Sequence, residues 1–323
     1  MNGKIGAILR SYGLLLAMAA LALVVAVIQP RFLSGDNILN IMRQLSVLGI
    51  VSLGMTIIII GGYMDLSISG TISLVAVVVI SMQQYTSAAL SVVTGLVIGV
   101  VVGIVNAAVV LLVKAGNGES LILTFGMQTV LQATALLYAK GYSIKAPEGS
   151  SFRLIGQGTV GFLASPVLIF LALALILQLM MSKTRSGRSI YLTGGNKEAA
   201  RLCGIPVSWY IGGMYVITGL MAAAGAIVLS SRTMSATPTM GTGYEMDAIM
   251  AVVIGGTSLK GGQGSVTKTI LGVVLVGVMS NALNIIGVTP YMQSIVKGMI
   301  MIAAVWLDSK KTGGGAAFAK QSV

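Results

Sequence analysis

The chain of 323 residues is 56% hydrophobic and only 9% charged, with a mean hydropathy of +0.96; a typical soluble domain carries about 25% charged residues. These proportions exclude an ordinary soluble enzyme and a disordered chain. The 42 glycines show no three-residue period, so collagen is excluded too. A net charge of +12 raises the question of nucleic acid, but the basic residues sit at the ends of apolar runs, so no nucleic-acid partner is expected. The absence of histidine and a single cysteine, Cys203, remove His-based catalysis, His proton relays and an intrachain disulfide. No catalytic residue, metal or cofactor is expected on this chain.

Long unbroken apolar runs, rather than short alternating ones, point to an all-α polytopic membrane protein. Near the start, Lys4 and Arg10 precede an apolar stretch at 13–28. Gln29-Pro30-Arg31 follows it in place of a small-residue cleavage motif, which reads as a retained first helix. Ten spans are expected, at roughly 12–28, 42–60, 66–82, 90–113, 119–139, 164–181, 210–230, 245–259, 269–286 and 291–307. With the N-terminus inside and the helices alternating, thirteen basic residues fall inside and six outside, with Lys297 in the last span. That bias supports ten spans with both termini cytoplasmic. The 245–259 segment is short for a span and ends in Gly255-Gly256, so a short or broken helix is expected there.

A similar break follows Ile60, at Gly61-Gly62. Broken membrane helices usually line a cavity, where their freed backbone groups find partners. The two glycine pairs hint at a weak internal repeat, since Asn106-Ala107 and Asn281-Ala282 follow them, although at different spacings. No domain boundary is visible: 1–323 reads as one transmembrane domain with an outer polar stretch at 140–164, an inner one at 182–209 and a flexible tail at 309–323.

Several polar residues stand out among the spans. Asp65 follows the first break and is expected to cap the next helix, with contact to a substrate hydroxyl or a neighbouring subunit as the functional alternative. Lys297 needs a partner, because a charge near a bilayer centre costs about 2.5–3.5 kcal/mol; Glu245 and Asp247 are the expected ones. Asn106 and Asn281 are expected to hydrogen-bond between helices, with a pathway role as the alternative. Gly99-x-x-x-Gly103 is a spacing that lets helices approach closely.

The 182–209 stretch contains Gly194-Gly195-Asn196-Lys197-Glu198-Ala199-Ala200-Arg201 and then Gly204-Ile205-Pro206. Asn196 is suited to start a helix, and Gly204 and Pro206 to end it. A helix of about two turns is therefore expected, either docking into a partner or serving as a plain connector. Gly261-Gly262-Gln263-Gly264 lacks the Lys-Ser/Thr that would complete a phosphate loop, so ATP hydrolysis is not expected here.

From about residue 30 to 308 the chain resembles the ribose-type sugar permease family of ABC importers. Residues 194–205 match that family's pattern Gly-Gly-Asn-x-x-Ala-x-Arg-Leu-x-Gly-Ile. Gly241-Thr242-Gly243-Tyr244-Glu245-Met246-Asp247-Ala248-Ile249 and Val253-Ile254-Gly255-Gly256-Thr257-Ser258-Leu259 are close to two further signatures. The family's Gly-Ile-Asp-Leu-Ser-Val-Gly is altered, because Tyr63 and Ser69 replace two glycines around Asp65; if this stretch faces the pathway, Tyr63 would narrow it.

The resemblance implies a type II importer-like permease in the cell (inner) membrane that passes ribose or a related monosaccharide. It implies a second permease subunit, a cytoplasmic ATPase carrying ATP and Mg, and an extracytoplasmic binding protein. Gly195, Asn196, Glu198, Ala199, Ala200, Arg201 and Gly204 would couple to that ATPase. Nucleoside, branched-chain amino acid or a sugar-like signal are alternative cargoes. A secondary transporter is the rival class, but few mid-membrane acids are available for ion coupling. A non-transporting scaffold would need neither glycine breaks nor a docking helix.

Overall fold

The structure is a computed structural model that describes residues 23–319 except 162, with side chains to Trp306. It is almost entirely helical. Residues 23–28 are helical and a 3-10 turn follows at Pro30–Leu33; the rest of the expected first span lies outside the described residues. Four helices come next: α1 (Gly35–Ile60), α2 (Ile68–Met82), α3 (Ala88–Leu112) and α4 (Asn117–Tyr138). A short α5 (Arg153–Gln157) precedes α6 (Ser165–Lys183), α7 (Arg185–Gly195), α8 (Lys197–Leu202) and α9 (Val207–Thr233). The chain ends with α10 (Tyr244–Ile254), α11 (Val266–Ile285) and α12 (Pro290–Ala319). The last of these continues through Gly313-Gly314-Gly315, the stretch assigned to a tail.

Among the described residues six helices, α1, α3, α4, α6, α9 and α11, are long and apolar enough to cross a membrane. The chain is thus a multi-pass membrane protein. The second break leaves α10 with 11 residues, about 16 Å of helix against a core of about 30 Å. Helix α1 begins seven residues before the apolar run does, because the Ser34 hydroxyl accepts from Asn37 N and starts a polar first turn.

The core follows from the sequence. The β-branched run Ile57-Ile58-Ile59-Ile60 is fully buried, since α1 lies at the centre, packed by α6, α9, α10 and α11. On its other side α9 packs along α3 and α2. The Gly99-x-x-x-Gly103 spacing lies on this contact: a Cβ on Gly99 would fall 2.5 Å from Gly219 O, and one on Gly103 2.6 Å from Tyr215 O. Both asparagines bridge helices. Asn106 Nδ2 donates to Ser67 Oγ at 2.7 Å, and Asn281 exchanges two amide hydrogen bonds with Asn37 at 3.0 and 3.1 Å.

At one end of the bundle, two-residue strands β1 (Ile144–Lys145) and β4 (Ser235–Ala236) pair antiparallel, as do β2 (Thr159–Val160) and β3 (Leu163–Ala164). The outer stretch at 140–164 is therefore ordered, including α5, whose Gly156 fits only because it lies directly against the α9 backbone at Ser231–Arg232. Helices α7 and α8 lie at the opposite end.

Candidate functional site

The glycine break after α1 is a helix stop of defined geometry. Gly61 N and Tyr63 N donate to Ile57 O and Ile58 O, and Gly62 takes φ +79°. Gly255, Gly256 and Thr257 repeat the pattern after α10, with Gly256 at φ +93° and Thr257 N on Val252 O. Only glycine adopts this left-handed backbone without penalty. Gly204 and Gly287 end their helices in the same way, with Ile205 N on Ala200 O and Val288 N on Leu283 O, so the shared geometry is a common helix stop and does not by itself support an internal repeat.

Beyond the first break the chain runs irregularly to Ile68, and its backbone is satisfied by side chains from α4 and α9. Leu66 N donates to Thr124 Oγ1 at 3.0 Å, and the Tyr215 hydroxyl donates to Met64 O at 3.2 Å. Asp65 is buried, and its Oδ1 accepts from both Ser67 N (2.9 Å) and Ser67 Oγ (2.6 Å). Helix α2 starts at Ile68 with Ser67 as its N-cap residue. Asp65 thus takes a backbone N–H two residues on, at the entry to α2, as a capping carboxylate does, and it holds the Ser67 hydroxyl as well. Through Ser67 it joins Asn106, so two residues singled out separately belong to one buried network.

The inner stretch contains one helix more than expected. Thr184 Oγ1 accepts from Gly187 N and opens α7, whose buried residues Gly187, Ile190 and Thr193 recur at every third position. That stripe is the sequence signal for α7, masked by the surrounding charges and glycines. Asn196 then starts α8, its Oδ1 accepting from Ala199 N at 3.0 Å. Gly204, at φ +79°, ends it, with Ile205 N on Ala200 O. Ala200 is buried beneath the helix, while Glu198, Ala199, Arg201 and Leu202 are exposed; Leu202 is 89% exposed. The Glu198–Arg201 pair (3.2 Å) lies on the surface. This is a small knob with one side anchored and the other side bare.

The anchor is a junction of three glycine pairs. Gly194-Gly195 at the end of α7 meets Gly61-Gly62 and Gly261-Gly262, and Gly262 N donates to Ile60 O at 2.7 Å. A Cβ on Gly194 would fall 2.8 Å from Gly262 N and 2.9 Å from Gly61 C, and closer still to Ile60 O. Tyr191 adds a hydrogen bond to Gly264 O (2.9 Å), and its burial pushes the phenol pKa up. The Lys197 ammonium stands 5.8 Å from the centre of the Tyr63 ring, and Tyr63 packs edge-on to Tyr215 at 6.3 Å. Tyr63 is only 4% exposed and lines none of the described cavities. The expectation that it narrows a pathway is corrected: the ring fills the junction beneath α8. Ser69 is likewise buried, with Gly241 directly against its carbonyl. Gly194, Gly261 and Gly262 were not foreseen as a unit, and their only sequence signal was the repeated Gly-Gly.

Towards the end of the bundle that carries the strands, α1, α9, α10, α11 and α12 enclose a cavity of about 520 Å³. Its lining includes Asp247 and Lys297, whose Oδ2 and Nζ are 2.7 Å apart. Asp247 was one of the two expected partners; the other, Glu245, instead turns back to accept from Gly243 N at 3.0 Å. Asn284, Gln293 and Arg232 also line the cavity and were missed by sequence reading, because each sits at a helix end where a polar residue needs no explanation.

A bundle of long apolar helices, with two broken segments and a surface knob anchored on them, is the architecture of a multi-pass membrane protein. The family model described as branched-chain amino acid transport system / permease component matches residues 37–305, and the chain belongs to that family. It is 37% identical over 306 residues to the ribose import permease protein RbsC of Bacillus subtilis (strain 168), covering 94% of each chain. It is 36% identical over 300 residues to the RbsC of Escherichia coli (strain K12), covering 92% of this chain and 93% of that one. The L-arabinose transport system permease protein AraH of E. coli K12 is 34% identical over 309 residues, covering 95% and 92%. No solved structure matches the chain.

Proposed function

We propose that this chain is the membrane-spanning subunit of an ATP-driven importer of a monosaccharide, a pentose such as ribose or arabinose. The observation that carries the reading is its identity of 34–37% over more than nine-tenths of its length to permeases named for those two sugars. The subunit works as one of a pair in the inner membrane, crossing ten times in the manner of a type II importer, with both termini in the cytoplasm. A separate ATPase, carrying ATP and Mg, grips the exposed face of α8 through Glu198, Ala199 and Arg201. Gly195, Asn196, Ala200 and Gly204 give that helix its ends and its seat. An extracytoplasmic binding protein delivers the sugar to the opposite face and supplies most of the selectivity. Hydrolysis takes place on the ATPase, and this chain turns its motion into alternating access.

The test is uptake of labelled ribose and of labelled arabinose into proteoliposomes holding the permease, its ATPase and the binding protein. Uptake should require ATP and should fail when Glu198→Ala and Gly204→Pro are combined, while the ATPase-free permease stays folded. Uptake without any ATPase, or driven by an ion gradient, would refute the reading.

A further inference from the structure

We infer that the cavity enclosed by α1, α9, α10, α11 and α12 is a seat for the neutral sugar in transit, a polyhydroxylated ligand held inside the permease itself. This rests on the transport reading above and adds a site to it. The volume of about 520 Å³ falls within the range of roughly 300–1,000 Å³ found for small-molecule sites. The lining has the two characters such a ligand needs. Leu48, Met246, Met250 and Met301 supply apolar surface, and Gln44, Ser280, Asn284 and Gln293 supply amides and a hydroxyl. A sugar matches this arrangement: C–H groups meet the apolar surface, and each hydroxyl both donates and accepts.

The charges of the lining fit a hydroxylated ligand: Asp247 and Lys297 pair off, and Arg232 is held by the neutral Asn40 amide. Asp247 and Lys297 neutralise one another at 2.7 Å, so neither offers an unpaired charge to an ion, yet each keeps spare lone pairs or N–H groups for hydroxyls. The Arg232 guanidinium, the remaining cation of the lining, is oriented by Asn40 Oδ1 at 3.0 Å. Beside these fixed groups, Gln44 and Ser280 line the cavity without a hydrogen bond to any described residue. Both are half-buried, so their polar ends are free to meet a ligand hydroxyl in place of water. The cavity also lies at the end of the bundle away from α7 and α8, where an arriving sugar would enter.

Ser280 allows a test by a near-isosteric change. With the one native thiol removed by Cys203→Ser, Ser280→Cys is introduced and the complex is reconstituted with its ATPase. A membrane-impermeant methanethiosulfonate reagent then reports access to the cavity. Modification should abolish uptake of whichever pentose the wild type carries. Ribose or arabinose at ten times its half-protecting concentration should slow modification roughly tenfold, and a sugar acid of the same size should not. The control is Tyr291→Cys, at a position 84% exposed, whose modification should leave uptake unchanged. An unreactive S280C thiol, full uptake after modification, or protection by the sugar acid alone would overturn the seat. Failure of the wild-type complex to take up either pentose would instead overturn the transport reading beneath it.

Discussion

Replacing Gly194 with alanine should loosen the junction that holds the knob, whereas the same change at Gly195 should not. At Gly194 the new methyl would meet three backbone atoms from two other segments: Gly262 N at 2.8 Å, Gly61 C at 2.9 Å, and Ile60 O closer than either. Backbone cannot rotate aside as a side-chain end can, so the α7 terminus must move away. Overpacking of this kind costs about 1–3 kcal/mol. Disturbing the Gly262 N to Ile60 O hydrogen bond adds about 0.5–1.5 kcal/mol, and the gain from alanine in place of glycine returns about 0.4–1 kcal/mol. A net loss of about 1–3 kcal/mol shifts the opening of the junction by roughly 5–150-fold. Gly195 has nothing within 4 Å of its would-be Cβ and a helical backbone, so alanine there should be neutral or slightly stabilising. Amide hydrogen exchange in the 255–265 segment of the purified permease reads the difference, since Gly262 N is protected by Ile60 O. Equal exchange in the two variants, or faster exchange in Gly195→Ala, would refute the reasoning.

Lys297→Met should lower thermal stability in detergent by about 1–3 kcal/mol, because it leaves Asp247 without the donor 2.7 Å away; adding Asp247→Leu should recover much of that loss, since a removed pair costs less than a broken one. Gly103→Ala should be destabilising by about 1–3 kcal/mol, because the methyl would fall 2.6 Å from Tyr215 O and push α3 off α9; a melting curve checks it against Gly213→Ala, which has open space. Glu198→Ala removes only a surface pair and should leave the melting temperature unchanged; co-purification of the ATPase should fall sharply if α8 is the docking surface. Asn196→Ala should cost about 1 kcal/mol of helix stability by removing the bond to Ala199 N, and circular dichroism of the whole chain should hardly change because α8 has six residues.

The parts of the fold carried by composition were legible early. Apolar runs placed most of the long helices to within a few residues, the start of α1 and the end of α12 excepted, and Asn196 and Gly204 marked both ends of α8 because capping chemistry is local. Helix α7 was missed for the same reason in reverse: Arg185, Gly187, Arg188 and two glycines outweighed a three-residue stripe that only tertiary burial makes favourable. The polar first turn of α1 was invisible to a search for apolar runs. Asp65 does take a backbone N–H at the entry to α2, but its link to Asn106 through the Ser67 hydroxyl needed the tertiary structure to be seen. The cavity was half visible: the Lys297–Asp247 pair follows from the cost of an unpaired charge, while Gln44, Ser280 and Asn284 look ordinary until five helices converge on them.

The knob is seated on helix ends and loop segments rather than on a close helix-to-helix contact. Where α3 meets α9, glycines bring backbone against backbone, and there is no slack to absorb a displacement. The contacts of α7 and α8 described above reach different material: Ile60 O at a helix end, Gly262 and Gly264 in a loop, and Tyr63 just past the first break. In that stretch the backbone is held by side-chain hydroxyls of Thr124 and Tyr215, which can exchange partners without unwinding a helix. Displacing α8 would therefore act at once on the end of α1 at Ile60, on the 261–264 loop and on Tyr63 past the first break. The Tyr63 ring widens this contact. It bridges Lys197 to Tyr215, so in this chain the α8 knob is linked to α9 as well as to the break.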